Sequence, residues 1–121
     1  MPPIVRDDTN SKISVKVCDL VTVADTWTFA YALTVSGALL LREMLITNRS
    51  GDDCRVAVLF KPSDYSIIAG IDQPHVHILK SIAADADTVF LDLTTGINQN
   101  WELHIWSDKD NVNVYLSGVI V

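Results

Sequence analysis

The chain has 121 residues, 15 of them acidic and 9 basic, for a formal net charge of −6, and 49% are hydrophobic. That length makes one domain, and that apolar content excludes a disordered chain. The acidic balance, with the cations scattered singly, excludes the basic footprint that nucleic acid or an anionic membrane surface requires. Charged residues make up only 20%, which predicts that other subunits cover part of the apolar surface.

The first residues are polar and proline-containing, with the run Arg6-Asp7-Asp8-Thr9-Asn10-Ser11. Residues 1–11 are expected to form a flexible arm and 12–121 a single domain. Met1-Pro2-Pro3-Ile4 lacks the basic-then-apolar order of a secretion signal. The longest apolar stretch, Phe29 to Leu41, is interrupted by Thr34, Ser36 and Gly37 and ends at Arg42-Glu43. It falls short of the roughly 20 residues of a membrane-spanning helix. Both readings point to a protein used in the cytoplasm or assembled there into something larger.

From Lys12 onward, short β-rich runs alternate with turn residues. Ile13, Val15 and Val17 alternate with Ser14 and Lys16, the period of a half-buried strand. Trp27 to Val35 and Leu39 to Asn48 read as two strands joined by a short turn at Ser36-Gly37. After the turn Arg49-Ser50-Gly51-Asp52-Asp53, Cys54, Val56, Val58 and Phe60 share one strand face, and Arg55, Ala57, Leu59 and Lys61 the other. Residues 62–74 form the longest connection, and His75 to Ile82 the next strand. Val89, Leu91 and Leu93 mark another strand. Thr95 to Asn100 is read as a turn. Trp101, Leu103 and Ile105 alternate with Glu102, His104 and Trp106, and Val112, Val114 and Leu116 with Asn113, Tyr115 and Ser117. About eight strands at this spacing predict an all-β, antiparallel, jelly-roll-like β-sandwich. Ser117-Gly118 inside the last strand predicts a bulge or close packing. Ending on a strand with no polar tail predicts that this strand is paired and protected.

Cys18 and Cys54 read as small buried hydrophobes, and their spacing leaves a disulfide open. Asn48-Arg49-Ser50 matches the glycosylation sequon, taken as a chance match in a chain without a secretion signal.

The sharpest chemical candidate is His75-Val76-His77, whose imidazoles share a strand face and, with His104, would make a three-histidine metal site. The comparable cupin pattern requires a glutamate after the second histidine, where this chain has Leu79-Lys80-Ser81-Ile82. Asp108-Lys109-Asp110-Asn111 begins like a calcium loop but runs straight into Val112 and Val114, which favours a hairpin turn. There is no Gly-x-Ser-x-Gly motif and no phosphate-binding glycine loop. The chain is therefore expected to be no enzyme and to take no metal or cofactor. Trp27, Trp106 and Tyr115 fall on faces away from the expected core, and His104 faces the same way. These four are the candidate interface residues, or, for the aromatics, a surface for stacking sugars.

One run carries a resemblance. Leu40-Leu41-Arg42-Glu43-Met44-Leu45-Ile46-Thr47-Asn48-Arg49-Ser50-Gly51 is followed by Cys54-Arg55-Val56-Ala57-Val58-Leu59-Phe60, then by Ile78 to Asp85, by Thr88-Val89-Phe90-Leu91-Asp92-Leu93, and by Val112 to Val119. Over residues 38–121 this order resembles the small β-sandwich structural proteins of tailed-bacteriophage virions, of the decoration (cement) or tail-associated type. The loop at 62–74 and the segment Ile97-Asn98-Gln99-Asn100-Trp101 depart from that pattern. The resemblance implies a capsid decoration protein located in the virion. Its partners would be the major capsid protein or other virion subunits, and copies of itself in a trimer or other closed homo-oligomer. The alternatives are a tail or fibre attachment component and a carbohydrate-binding module.

Overall fold

The computed structural model describes residues 13–67, 76–90 and 95–121, apart from the side chains of Ile13, His77 and Val89. The expected arm at 1–11 and the strand reading at Leu91 and Leu93 lie outside these residues, as does His75. Among the described residues the strands are β1 (Ile13–Val21), β2 (Thr28–Ala32), β3 (Ala38–Asn48), β4 (Cys54–Pro62), β5 (Val76–Ile82), β6 (Asp87–Phe90), β7 (Gly96–Asn98), β8 (Trp101–Ser107) and β9 (Val112–Ile120).

They form two sheets. One runs β1-β9-β3-β6, with β7 pairing the opposite end of β3, and the other runs β2-β8-β4-β5. Every strand pairing is antiparallel. If the three-residue β7 is set aside, the winding is that of a jelly roll, in which two four-stranded sheets interleave along the chain. The expected sandwich is therefore the observed one, with β9 at its centre, paired on both sides. The expected turn at Thr95 to Asn100 contains β7, which is too short to show a sequence period.

The apolar faces meet between the sheets. Val17, Leu39, Leu41, Met44, Ile46, Val112, Val114 and Leu116 from the first pack against Val56, Val58, Phe60, Leu103 and Ile105 from the second. Cys18 and Cys54 are both free and belong to this core. Burial pushes the Cys18 thiol up to about 11, as expected of an inert cysteine.

The Ser36-Gly37 turn does not close a hairpin. It carries the chain from β2 in one sheet to β3 in the other. Gly37 has φ +118°, and a β-carbon there would lie 2.3 Å from the Val121 carbonyl oxygen. Only glycine allows this approach, and it lets Ala38 and Val121 exchange backbone hydrogen bonds of 3.1 and 2.9 Å. β3 is thereby captured by β9 rather than by β2.

Candidate functional site

The residues of interest gather on the outer face of the four-stranded sheet. The two faces of β4 read from the sequence are both present, and both are covered. Cys54, Val56, Val58 and Phe60 face the core, while Ala57 and Leu59, on the outer face, are fully buried and Lys61 is 5% exposed. Opposite them on β8 stand Trp106, His104 and Glu102, in register with Ala57, Leu59 and Lys61. Beyond β8, Phe29 of β2 pairs with His104. Beyond β4, Leu79 of β5 pairs with Ala57.

A segment outside the strands holds Trp27 in place. The Ala24 amide donates to Asp110 Oδ1 at 2.8 Å and the Asp25 amide to the Ser107 carbonyl at 2.8 Å. These bonds bind the chain ahead of β2 to the end of β8 and set the Trp27 ring 6.3 Å from that of Trp106. The Arg55 guanidinium lies over the Trp106 ring at 5.8 Å and reaches Asp108 at 3.5 Å. Trp106 is 3% exposed, and its indole N–H has no hydrogen-bond partner among the described residues.

An ionic row crosses the lower part of the face. Lys61 Nζ donates to Glu102 Oε1 at 2.9 Å and to the carbonyls of Pro62 and Ser63 at 3.2 and 3.4 Å. All three ammonium hydrogens are thus used. His104 Nε2 meets the same Glu102 oxygen at 3.1 Å. A carboxylate only accepts, so Nε2 carries the proton in the neutral ring. The Phe29 ring stands edge-on to the imidazole at 5.5 Å.

The hydrogen bond from Lys61, followed by that from His104, holds the Glu102 carboxyl below its ordinary value against the opposing effect of burial. Burial lowers the His104 pKa from its ordinary 6.5, helped by the Lys61 charge and opposed by the Glu102 bond. The unfolded chain therefore protonates at this histidine before the folded one does. The resulting stability is full above pH 6.5 and is lost as the pH falls through the window beneath that value. Urea midpoints are expected to drop as the pH is lowered from neutrality through the region below 6.5, and the drop is expected to shrink in His104→Gln. An equal drop in that variant would assign the effect to other groups.

The structure brings Trp27, Trp106 and His104 onto one face and leaves Tyr115 on the far side of the sandwich, on β9 between Asp19 of β1 and Leu45 of β3. Trp106 lies outside the core, as its strand position predicts, but it is closed over. The planes of Trp27 and Trp106 meet at 37°. With Tyr115 on the other sheet, the three aromatics offer no shared platform for a sugar ring. The side chain of His77, like all of His75, lies outside the described residues. Among those residues, no group of three or more His, Cys, Asp or Glu is placed to hold a metal ion. Sequence reasoning missed Lys61, Glu102 and Phe29 as parts of this face. The available signal was the unbroken apolar run Val56 to Phe60, which marks a strand covered on both sides.

No protein-family model matches the chain, and no curated protein matches its sequence.

Proposed function

We propose that the chain is a bacteriophage virion structural protein of the capsid-decoration type, bound to the major capsid protein through the outer face of its four-stranded sheet. The observation that carries this reading is the pair Phe29 and Leu79. They stand 54% and 49% exposed on either flank of a floor made by Ala57 and Leu59. Large apolar side chains held out from a sheet face gain most when a second surface removes them from water. The sequence run from Leu40 to Val119 adds its resemblance to virion β-sandwich proteins. The jelly roll, a winding common among viral shell subunits, adds a fold-level analogy.

The test is co-sedimentation of the purified protein with heads of the encoding phage that lack it. Saturable binding is expected, weakened about thirtyfold or more in Phe29→Asp, as for an aromatic anchor at an interface centre. Light scattering of the free protein is expected to give a trimer or other closed oligomer. Heads that pellet without the protein, together with a mass that stays monomeric at every concentration, would overturn the reading.

A further inference from the structure

The outer face of the five-stranded sheet carries a groove that the assembly reading does not use. Its volume is about 390 Å³, and Ser14, Lys16, Arg42, Tyr115 and Ser117 line it. Two β-bulges build it. On β1 the register shifts between Lys16 and Cys18, and on β3 between Leu41 and Glu43, and both shifts fall opposite Ser117 of β9. A bulge re-aims the side chains around it. On β3 it lets Leu41 and Met44, three positions apart, both enter the core, so Arg42 stays outside. On β1 it lets the consecutive Val17 and Cys18 both turn inward, leaving Lys16 on the outer face. Between them, Gly118 brings β9 close to β3, where a β-carbon would lie 2.5 Å from the Leu40 carbonyl oxygen.

The charge arrangement is unusual for so acidic a chain. Arg49, Arg55 and Lys61 each pair with a carboxylate, and Lys80 lies over the Phe90 ring. Lys16 and Arg42 make no ion pair among the described residues, yet they line one groove. The nearby acids on this face are Asp19, which accepts from Asn113 Nδ2 at 3.0 Å, and Glu43, and neither lines the groove. Two cations of like sign beside three hydroxyl groups form a donor set for a tetrahedral oxyanion. Arginine supplies the bidentate fork, lysine the point charge and serine the neutral donors. The volume exceeds what a bare anion fills and reaches the lower end of small-molecule sites.

We propose that this groove binds a small organic phosphate monoester, with the phosphate between Lys16 and Arg42 and the organic part along Tyr115. Amide resonances of the full chain, followed while glucose 6-phosphate or inorganic phosphate is added at ionic strength held constant with chloride, test it. Saturable shifts at Lys16, Arg42 and Ser117 are expected at millimolar ester or below, with inorganic phosphate binding more weakly. Lys16→Ala and Arg42→Ala are each expected to weaken binding about tenfold or more, the scale of a lost charge-assisted hydrogen bond. Both side chains are exposed, so these variants keep the fold. Shifts that never saturate, or that persist in the double variant, would overturn the site. Equal affinity for inorganic phosphate would overturn the ester assignment. The variants leave Phe29 and Leu79 untouched, so this proposal and the assembly reading fail independently.

Discussion

Glu102→Gln is expected to lower the folding free energy by about 3 kcal/mol at neutral pH, read from the shift of the urea midpoint. Glutamine keeps the shape of the side chain and can still accept from Lys61, so the loss reports the charge. Lys61 Nζ is 2.9 Å from the carboxylate, and the Lys61 side chain is 6% exposed. Removing the negative charge leaves an ammonium held only by neutral oxygens in a place that water scarcely reaches. The estimate sits at the low end of the range for broken buried pairs because the Glu102 side chain keeps 21% exposure. The double variant Lys61→Met/Glu102→Leu is expected to recover most of the loss, since an apolar pair needs no compensation. A single-variant cost below about 1 kcal/mol would reduce the pair to an ordinary surface salt bridge. Glu102→Gln is also expected to push the His104 pKa further down, because its hydrogen bond to the carboxylate is the main influence holding that pKa up. A histidine titration followed by NMR checks this.

This ionic row shows where the sequence stops being legible. Alternation assigned the faces of β1, β4, β8 and β9 correctly, because each has one side turned to the core and side chains alternate every residue. It cannot say whether the other side of a strand is covered, because that depends on neighbours far along the chain. Lys61 reads as a solvent-facing lysine until β8 brings Glu102 beside it. Trp106 reads as an exposed anchor until the segment holding Trp27, together with Arg55, closes over it. Arg42 and Lys16 were hidden for a different reason. A bulge adds one residue to the period, so Val17-Cys18 and Leu41-Arg42-Glu43-Met44 look like lapses in the pattern. They are the positions where the groove is made. Gly118 was legible as a glycine of either a bulge or close packing, and it is the close packing against the Leu40 carbonyl that is present. The partners of β2 and β3 were not legible, because the capture of Ala38 by Val121 joins residues more than 80 positions apart.

Asn48→Ala is expected to cost about 3 kcal/mol, and Asn48→Asp at least as much. Asn48 ends β3 in the five-stranded sheet and is fully buried. Its Nδ2 donates to the carbonyls of Asp52 at 2.7 Å and Ala83 at 3.0 Å, with the Ile82 carbonyl at 3.4 Å. Its Oδ1 accepts from the Ser50 amide at 3.0 Å and the Ser50 hydroxyl at 2.6 Å. Ile82 ends β5 in the other sheet, so one side chain ties the β3–β4 turn to the far layer of the sandwich. Alanine leaves these carbonyls without a donor and opens a void. Aspartate separates the two halves of the role. It can still accept from Ser50, but it turns an oxygen toward carbonyl oxygens where a donor stood. A variant Asn48→Asp that is more stable than Asn48→Ala would show that the Ser50 bonds carry the contribution and that the link between the sheets does not. The same geometry decides the sequon. An Nδ2 committed to two carbonyls and shut away from solvent cannot carry a glycan in the folded chain, so the folded protein passed through a glycosylating host is expected to keep its unmodified mass.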